Sequence, residues 1–440
     1  MSGSAVTVGI CGLGTVGGGT LRVLTRNAEE ITRRVGREIR VLQLAARSPR
    51  TSAQTHGIAF THDSFAIARN PEIHVLVELI GGVDAAYALV MEAIAHGKHV
   101  VTANKALIAE RGNELFEAAR AKGVTIAFEA SVAGGIPVVK AIREGLAGNR
   151  IERVAGIING TSNFILTAMD QKGADFASTL AEAQRLGYAE ADPSFDVGGI
   201  DAAHKLTILS SIAFGAPLRF DAVYIEGIAT ISAEDIEYAR QLGYRIKHLG
   251  ITRRRADGIE LRVHPTLVPL DHLLANVSGV MNAVLVHSDA AGASLYYGRG
   301  AGAEPTASAV VADIVDVARM IAAPAGACVP PLAFQADAVL SLPIVPIADT
   351  EAAYYLRIPA LDRPGVLAQI ARILSEEGIS IESVIQKEQA IRSEAGESWV
   401  PVIILTQRVR EKNVDAAIAG IQQLEDIPGP ITRIRVESLR

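Results

Sequence analysis

Short apolar segments alternate with amphipathic ones over the first 130 residues of the chain. The apolar segments are rich in β-branched residues and lie at residues 6–10, 41–46, 75–80, 98–102 and 123–129. Such runs are typical of strands that are buried on both faces of a parallel sheet. The segments 20–34, 84–96 and 112–122 have the spacing of helices. This alternation predicts an α/β domain with a doubly wound parallel sheet over residues 1–130.

The pattern changes between about residues 131 and 320, where helices mix with antiparallel strands. The predicted elements are helices at 137–146, 179–186 and 306–321 and a hairpin of strands 245–252 and 258–263. The hairpin turns at Ala256-Asp257-Gly258. This mixture predicts an α+β domain over residues 131–320. We expect residues from about 305 to 325 to return to the first domain and complete it.

The last part of the chain begins with a proline-rich stretch at residues 321–350, which predicts a linker or an irregular crossing. Beyond it we predict strands at 354–358, 380–385, 399–406 and 431–436, with helices at 365–377 and 414–424. This βαββαβ order predicts a ferredoxin-like split unit over residues 351–440.

Composition and charge narrow the class of protein. The chain has 440 residues and a net charge of −6, so it lacks the broad basic field of a nucleic-acid binder. No uninterrupted apolar run reaches the roughly 18 to 20 residues of a membrane span, so we expect no membrane partner. Cys11 and Cys328 form no disulfide framework, and the N-terminus lacks the basic region of a signal peptide. We therefore expect a cytoplasmic protein.

A glycine-rich motif directly follows the first predicted strand and opens a helix. Its residues are Gly12, Leu13, Gly14, Thr15, Val16 and Gly17. In a GxGxxG motif the first glycine permits a tight turn, the second lets the backbone approach a pyrophosphate, and the third lets helix and strand pack closely. The motif in this context predicts a dinucleotide-binding domain of the Rossmann type. The alternative is a glycine-rich turn without a ligand.

The end of the second strand bears on the choice between NAD and NADP. An acidic residue there would bind the 2′-hydroxyl of NAD, but the strand ends in Ala45-Ala46-Arg47-Ser48. Arg47 can bind a 2′-phosphate through charge-assisted hydrogen bonds. We therefore expect NADP in preference to NAD, with NAD still possible. The alternative is that Arg47 is a solvated loop residue.

An acid and an amine lie one turn apart on a predicted helix from about residue 200 to 214. Asp201 and Lys205 share a face with Ile208 and Ile212, so they lie on the line of a buried stripe. Burial lowers a lysine pKa, and a neighbouring carboxylate opposes that shift. Lys205 is therefore a candidate general acid or base for a carbonyl or alcohol. The alternative is a weak surface ion pair.

Several long motifs occur together in one order along the chain. They are GLGTVG at 12–17, VTANKALIA at 101–109, FEASVAGGIPVV at 128–139, IINGTSNFIL at 157–166, LGYAEADPSFDVGGIDAAHKL at 186–206 and GRGAGAEPTASAVVAD at 298–313. With these motifs the chain resembles the bacterial homoserine dehydrogenases that carry a C-terminal ACT domain, over essentially its whole length. The resemblance implies a catalytic, substrate-binding and dimerisation role for residues 131–320 and a regulatory role for residues 351–440.

The resemblance also implies a reaction and a set of site residues. L-aspartate 4-semialdehyde is reduced to L-homoserine by hydride from NAD(P)H, on the route to threonine, methionine and isoleucine. Lys205 is the expected proton donor, and Asp201 and Glu190 are expected to hold the substrate's amino group with help from the Gly187 backbone. Lys105 is expected beside the nicotinamide and the reacting oxygen. Gly302 is expected near the cofactor.

The same resemblance implies a monovalent metal ion such as Na⁺ or K⁺. Its expected ligands are Glu129, Val132, Gly134 and Ile136. One carboxylate and several backbone carbonyls in a glycine-containing turn suit a hard cation. From the residues alone, a plain strand-to-helix turn is the simpler interpretation.

The loop at residues 361–367, LDRPGVL, joins a strand to a helix in the last domain. It resembles the ligand loop of ACT domains, which bind amino acids between paired domains. Helix-terminal N–H groups can hold a carboxylate there. We expect threonine as a feedback inhibitor and a homodimer or homotetramer. The alternative is a dimerisation module without a ligand.

Two other functions compete with this interpretation. One is an ACT-containing dehydrogenase that acts on another small hydroxy acid, although the motifs at 157–166 and 186–206 fit it poorly. The other is a non-catalytic amino-acid sensor that keeps the dinucleotide-binding domain as a scaffold. The run Arg253-Arg254-Arg255 precedes the predicted hairpin turn, and we interpret it as a solvated tip in preference to a phosphate site.

Overall fold

The computed structural model describes residues 4–47, 57–322, 329–386, 391–392 and 398–439. The strands of its first domain are β1 (Val6–Cys11), β2 (Ile39–Ala45), β3 (Ala59–Thr61), β4 (Val75–Glu78), β5 (His99–Thr102) and β6 (Ile126–Ala127). They form a parallel sheet in the order β3-β2-β1-β4-β5-β6. The predicted doubly wound parallel sheet is confirmed. The short edge strand β3 was not predicted.

Helices connect these strands. They are α1 (Thr15–Arg26), α2 (Ala28–Val35), α3 (Ser64–Arg69), α4 (Asp84–Ala95) and α5 (Lys105–Lys122). One predicted helix is divided at Asn27 into α1 and α2. Helix α5 begins earlier than predicted because the Asn104 side chain accepts a hydrogen bond from the backbone N–H of Leu107 and so caps the helix.

The second domain is built on antiparallel strands. They are β7 (Ile151–Ile157), β8 (Tyr224–Ile225), β9 (Tyr244–Arg254), β10 (Ile259–Pro269), β11 (Met281–Ser288) and β12 (Gly292–Arg299). Its helices are α6 (Val138–Lys140), α7 (Gly160–Lys172), α8 (Phe176–Arg185), α9 (Ser194–Val197), α10 (Ile200–Phe214), α11 (Ala233–Gln241) and α12 (Ala303–Ala322). The predicted hairpin is the pair β9–β10, whereas β7, β12 and α7 were not predicted.

Helix α12 returns to the first sheet. Val310, Ile314 and Ala318 are buried in one cluster with Val8 and Ile10 of β1. The helix also packs against α1, where a Cβ on Gly19 would lie 2.4 Å from the carbonyl oxygen of Ala303. The apolar face of α12 therefore covers the dinucleotide-binding sheet.

The C-terminal unit has the predicted βαββαβ order. Its elements are β13 (Glu351–Leu361), α13 (Val366–Glu376), β14 (Ile381–Gln386), β15 (Ile391–Arg392), β16 (Ser398–Thr406), β17 (Val409–Arg410), α14 (Glu411–Ile421) and β18 (Thr432–Val436). The two helices pack their apolar faces on the sheet, with Ile370, Leu374, Val414 and Ile421 buried against Tyr354. The predicted split unit is confirmed.

The last two domains share one sheet. Strand β18 pairs in parallel with β10, so that Thr266 lies opposite Arg435 and Leu267 opposite Val436. The continuous strand order is β12-β11-β7-β9-β10-β18-β13-β16-β14, with β8, β15 and β17 paired at its sides. Tyr355 is buried together with residues of the second domain. The C-terminal unit thus extends the sheet of the second domain.

The described part of the proline-rich stretch runs along the second domain. Ile344 forms a parallel bridge with Ile259, and the backbone N–H of Val345 donates to the Ile259 carbonyl at 2.9 Å. Leu340 donates in the same way to Gly215 at 2.7 Å. This connection is therefore anchored where the structure describes it. Within the described residues, no helix is both long and apolar enough to cross a membrane.

Candidate active site

The glycine loop lies between β1 and α1. Gly12 has a φ of +99°, and a Cβ there would lie 2.3 Å from the carbonyl oxygen of Leu79. A Cβ on Gly17 would lie 1.9 Å from the carbonyl oxygen of Gly12. Both positions therefore require glycine. Gly14 precedes α1, and a Cβ on it would meet nothing within 4 Å. The space before the first N–H groups of α1 is open, as a bound pyrophosphate needs.

The other predicted cofactor residues lie around this loop. Leu13 is buried, Val16 is half-buried and Thr15 is exposed. Arg47 is exposed and follows β2 at the same sheet edge, since the Gly12 N–H donates to the Ala45 carbonyl at 2.8 Å. Ser48 lies outside the described residues.

Gly302 lies directly before α12, with a φ of +123°. Its carbonyl oxygen accepts a hydrogen bond from the Thr306 N–H at 3.1 Å. Because Gly19 of α1 abuts the next residue, Ala303, the start of α12 lies against the helix that follows the glycine loop.

The ends of β4 and β5 position Lys105 at the same sheet edge. The buried carboxylate of Glu78 accepts hydrogen bonds from the Thr102 hydroxyl at 2.6 Å and the Ile80 N–H at 2.8 Å. Burial raises the pKa of Glu78. The Asn104 side chain donates to the Gly82 carbonyl at 2.6 Å. These contacts fix the two loops, so that Lys105 projects from the first residue of α5.

Lys105 and Lys205 meet at one carboxylate. The Lys205 ammonium lies 2.7 Å from Asp201 Oδ2, and the Lys105 ammonium lies 3.0 Å from Asp201 Oδ1. The Lys205 ammonium also donates to the carbonyl oxygen of Ile158 at 2.8 Å. The side chains of Asp201 and Lys205 are 7% and 12% exposed, whereas Lys105 is 31% exposed. The structure therefore brings together the three residues predicted to be catalytic.

Burial and charge set the pKa values in this cluster. Burial alone would raise the pKa of Asp201, but Lys205 and Lys105 overcome that effect and hold the pKa well below its usual range. Burial lowers the pKa of Lys205, and Lys105 adds to that shift although Asp201 opposes it. Lys205 is thus an ammonium group that releases its proton more readily than a solvated lysine, which suits a general acid or base.

Two polar residues that were not predicted as site residues complete the cluster. The Asn159 side-chain amide donates to Asp201 Oδ2 and to Asp196 Oδ1, both at 2.8 Å. The Thr161 hydroxyl donates to the Tyr188 carbonyl at 2.6 Å. Asn159 also caps α7, where its side-chain oxygen accepts from the Ser162 N–H at 2.7 Å. Its place in the motif at 157–166 was the only signal in the sequence.

The predicted substrate residues Gly187 and Glu190 lie in the loop after α8. Gly187 is exposed and has a φ of +75°. Glu190 is also exposed, and its backbone carbonyl accepts from the Gln184 side chain at 3.0 Å. Among the described residues, no hydrogen bond or ion pair joins the Glu190 carboxylate to Asp201 or Lys205. The structure therefore does not bring Glu190 into the lysine cluster.

The predicted metal ligands lie in a buried turn after β6. Glu129 accepts hydrogen bonds from the N–H groups of Val139 at 2.9 Å and Lys140 at 2.8 Å, and no ion pair to it occurs within the described residues. Gly134 has a φ of +46°. The carbonyl oxygens of Val132 and Gly134 accept no hydrogen bond from the described residues, whereas that of Ile136 accepts one from Val138.

Within the described residues, the buried Glu129 carboxylate forms no ion pair and two carbonyl oxygens accept no hydrogen bond, and this arrangement is compatible with a monovalent metal ion. Apart from these backbone groups, the described residues contain no cluster of three or more histidine, cysteine or acidic side chains that could hold a metal. The residues present therefore fit a hard monovalent cation better than a transition metal.

Hydride transfer to a carbonyl needs a dinucleotide at one side of the carbon and a proton donor at its oxygen. The glycine loop and Lys205 are suited to these two tasks, and the fold and site therefore define an NAD(P)-dependent oxidoreductase. Three family models match the chain. They are the homoserine dehydrogenase NAD-binding domain at residues 12–129, homoserine dehydrogenase at 137–315 and the ACT domain at 354–412. The chain belongs to the homoserine dehydrogenase family.

Similar proteins extend over the whole chain. The homoserine dehydrogenase of Pseudomonas aeruginosa is 63% identical over 99% of each chain. The crystal structure of a homoserine dehydrogenase from Thiobacillus denitrificans matches with a TM-score of 0.95 and 59% identity over 100% of both chains. A hyperthermophilic archaeal homoserine dehydrogenase in complex with NADPH matches with a TM-score of 0.62 and 26% identity, over 73% of this chain and 99% of that one.

Proposed function

We propose that the chain interconverts L-aspartate 4-semialdehyde and L-homoserine with NADP(H). The observation that carries this proposal is the buried Lys205 ammonium, which lies 2.7 Å from Asp201 and has a lowered pKa. When bound, the nicotinamide supplies or accepts the hydride. Lys205 donates a proton to the carbonyl oxygen during reduction and removes it from the homoserine hydroxyl during oxidation.

Asp201 and the loop after α8 bind the amino group of the substrate. Each oxygen of Asp201 already forms an ion pair with a lysine, so the substrate's ammonium group competes with one of the two lysines. Lys105 is the more exposed of the two and is the one displaced, after which it lies beside the reacting oxygen. We infer that Gly187 and Glu190, which are exposed in that loop, contact the amino group when the substrate is bound, although no described contact joins Glu190 to Asp201 or Lys205.

The reaction is tested with purified protein, L-homoserine and NADP, followed by the appearance of NADPH. We expect turnover of L-homoserine to exceed that of small 2-hydroxy acids, and the exposed-lysine variant Lys172→Ala to match the wild type. Faster turnover of a 2-hydroxy acid would favour the alternative dehydrogenase. Absence of turnover with every substrate would favour the amino-acid sensor.

We infer a preference for NADP over NAD from Arg47, which lies exposed at the sheet edge beside the glycine loop. A guanidinium group there pairs with a 2′-phosphate. Arg47→Ala is expected to raise the KM for NADP about tenfold, since one charge-assisted hydrogen bond contributes about 1.5–3 kcal/mol, and to leave the KM for NAD unchanged. An unchanged ratio of the two KM values would contradict this role.

We infer a monovalent metal ion from the carboxylate of Glu129 and the carbonyl oxygens of Val132, Gly134 and Ile136. This ion stabilises the turn between β6 and α6. Replacing Na⁺ and K⁺ by a bulky organic cation at constant ionic strength is expected to lower the thermal midpoint of the wild type. Glu129→Gln is expected to be insensitive to the replacement.

We infer feedback inhibition by threonine at the loop of residues 361–367. Gly365 has a φ of +96° and is followed by α13, whose first N–H groups can receive a carboxylate. Millimolar threonine is expected to slow homoserine oxidation, and serine serves as the control amino acid. Unchanged rates with threonine would favour the alternative, in which the C-terminal unit is a dimerisation module without a ligand.

We also infer a homodimer or homotetramer. Strand β12 forms one edge of the long sheet, and Tyr297 on it is 56% exposed. Edge strands and exposed aromatic side chains are favourable for subunit contacts. Light scattering on the purified protein measures the assembly size directly, and a monomer across the working concentration range would contradict this inference.

A further inference from the structure

A cavity of about 450 Å³ lies where β7, β9 and β11 meet solvent, at one end of the long sheet. Its lining consists of one carboxylate, Glu152, together with Ala256 and six basic side chains, which are Arg150, Arg153, Arg253, Arg254, Arg255 and His287. The run Arg253-Arg254-Arg255 is the one that the sequence predicted to be a solvated hairpin tip. The structure instead places it in a recess with basic residues from two neighbouring strands.

Strand register lines up three of these side chains. Arg153 on β7 lies opposite His287 on β11 and opposite Arg253 on β9. Directly opposed residues of antiparallel strands point to the same face of a sheet, and like charges there are unfavourable. The directly opposed Arg153 and Arg253 therefore place two like charges side by side at an electrostatic cost.

Carboxylates offset only part of this charge. Arg253 pairs with Glu437 at 3.2 Å, and Arg255 pairs with Asp257 at 2.9 Å and with Glu260 at 3.5 Å. The Glu152 carboxylate lies 3.2 Å from His287. Within the described residues, neither Arg150 nor Arg254 forms an ion pair. The buried Nε of Arg254 also lacks a hydrogen-bond partner there. Two guanidinium groups of the lining therefore remain without a counter-charge from the described part of the chain.

Deprotonation of an arginine does not remove the repulsion between these positive charges. Burial lowers the pKa of Arg254, and the nearby charge of Arg150 lowers it further. An arginine nevertheless stays protonated at every physiological pH, because its ordinary pKa is above about 12. An anion is then the remaining means by which this charge can be neutralised.

We propose that this cavity binds a multivalent oxyanion, either a phosphate ester or a polycarboxylate. The planar guanidinium group binds both chemistries through paired hydrogen bonds. The cavity volume lies in the range of small-molecule sites, about 300–1,000 Å³, and exceeds what a single inorganic phosphate fills. The ligand therefore carries more than one anionic group, and its main expected partners are Arg150 and Arg254, which form no ion pair within the described residues.

The site is separate from the lysine cluster and adjoins the C-terminal unit. Arg254 lies 5.1 Å from the ring centroid of Phe214, the last residue of α10, whereas Asp201 lies at the start of that helix, about 20 Å away at 1.5 Å per residue. Glu437 and Leu439 follow β18, and the Leu439 carbonyl accepts from Arg153 at 2.6 Å. A ligand in the cavity therefore contacts the catalytic domain next to the segment that ends the C-terminal unit.

Binding is tested by isothermal titration of the full-length protein with pyrophosphate and, separately, with citrate. Constant ionic strength removes general screening, and saturating NADPH keeps the glycine loop filled. We expect saturable binding of at least one probe, and Arg150→Gln/Arg254→Gln is expected to weaken its Kd at least tenfold. Arg33→Gln/Arg372→Gln removes two charges from exposed helix faces and is expected to bind as the wild type does.

The two probes distinguish the source of the anion. Binding of pyrophosphate alone supports a phosphate ester, and binding of citrate alone supports a polycarboxylate. The single variant Arg150→Gln changes an exposed side chain and keeps the test valid if the double variant fails to fold. Absence of saturable binding, or equal affinity of the wild type and the cavity variants, would overturn the proposal.

Discussion

Two buried charge clusters of this molecule differ in their exposure to solvent and in their balance of charge. The catalytic cluster, named for the role that we propose for it, contains Lys105, Lys205 and Asp201. The seam cluster lies between β10 and the C-terminal unit and consists of Arg262, Arg435, Glu260, Glu411 and Glu437. In the seam cluster, Arg262 contacts Glu437 at 2.5 Å and Arg435 contacts Glu411 through Nε at 2.8 Å, and all five side chains are at most 2% exposed. The catalytic cluster is more open and has one cation in excess.

The chemistry of the cations separates the two clusters. Burial lowers the pKa of Lys205 despite the neighbouring carboxylate. Burial would lower the pKa of Arg435 as well, but hydrogen bonds and charge from Glu411 overcome it and raise that pKa. Lysine therefore occurs at the proposed site of proton transfer. Arginine occurs where a permanent charge joins two domains, as Arg435 does through its contact with Glu226 at 2.7 Å.

The largest effect is expected from removal of a seam arginine. Arg435→Met leaves the buried Glu411 and the half-buried Glu226 without their main cation. Breaking a buried ion pair by removing one partner costs about 3–5 kcal/mol, and we expect the lower end because Arg433 still contacts Glu411 at 3.3 Å. Urea unfolding measures this loss.

The matched control is Arg372→Met, which breaks an exposed pair with Glu376. We expect its free energy of unfolding to stay close to that of the wild type, because exposed pairs contribute little. Equal loss in the two variants, or no loss in Arg435→Met, would show that the seam cluster does not stabilise the domain contact.

The next effect concerns the catalytic cluster itself. Lys205→Ala removes the proton donor and is expected to lower kcat by two orders of magnitude or more, the typical contribution of a general acid. Lys205→Arg keeps the charge beside Asp201 but holds its proton too firmly, so its kcat is expected to stay low. Steady-state homoserine oxidation measures both. Near-normal turnover in either variant would contradict proton transfer by Lys205.

The two clusters also differ in how far the sequence predicts them. The Asp201–Lys205 pair was predictable because helical spacing puts both residues on one face. Lys105 was expected from the family resemblance, and its position after a strand of a parallel sheet agrees with that expectation but would not have identified it alone. That both lysines share one carboxylate depends on tertiary packing of α5 against α10. The role of Asn159 depends on where α7 begins, which the apolar pattern did not show.

The seam cluster was not predictable at all. Its formation requires β18 to pair with β10, and the intervening proline-rich stretch suggested a separate C-terminal unit. The βαββαβ order was predictable because it depends on a local alternation of apolar and polar residues. The pairing of β18 with β10 depends instead on how the complete sheet packs. Local patterns therefore gave the elements and the catalytic helix, and the domain contact came only from the structure.

A smaller effect is expected from pH. In the proposed reaction Lys205 donates its proton to the aldehyde oxygen while the nicotinamide supplies the hydride, so kcat/KM for reduction is expected to fall as pH rises through the lowered pKa of Lys205. The fall approaches tenfold per pH unit beyond that pKa. Homoserine oxidation needs the neutral amine and is expected to rise over the same window, which lies below the ordinary lysine value of about 10.4. Parallel pH dependence in both directions would contradict this assignment.

The smallest effect comes from the carboxylate beyond Asn159. Asp196 raises the pKa of Lys205 through its charge, although burial and Lys105 dominate in the other direction. Asp196→Asn removes that charge and keeps an oxygen that can accept from the Asn159 amide. The pKa of Lys205 is therefore expected to fall further, by less than about one unit, because the two groups do not touch directly. The alkaline limit of aldehyde reduction then moves to lower pH.

Asp192→Asn is the matched control, because this exposed carboxylate accepts from the Ser194 N–H in the same loop. Like Asp196→Asn, it removes one negative charge from the loop, but Asp192 does not face Lys205. The pH profile of Asp192→Asn is therefore expected to follow that of the wild type. A shift in both variants would assign the effect to the loop as a whole. A shift in Asp196→Asn alone shows that the charge of Asp196 affects the pKa of Lys205 across Asn159. The arginines of the seam cluster stay protonated, so a comparable change of charge there would not alter their protonation state.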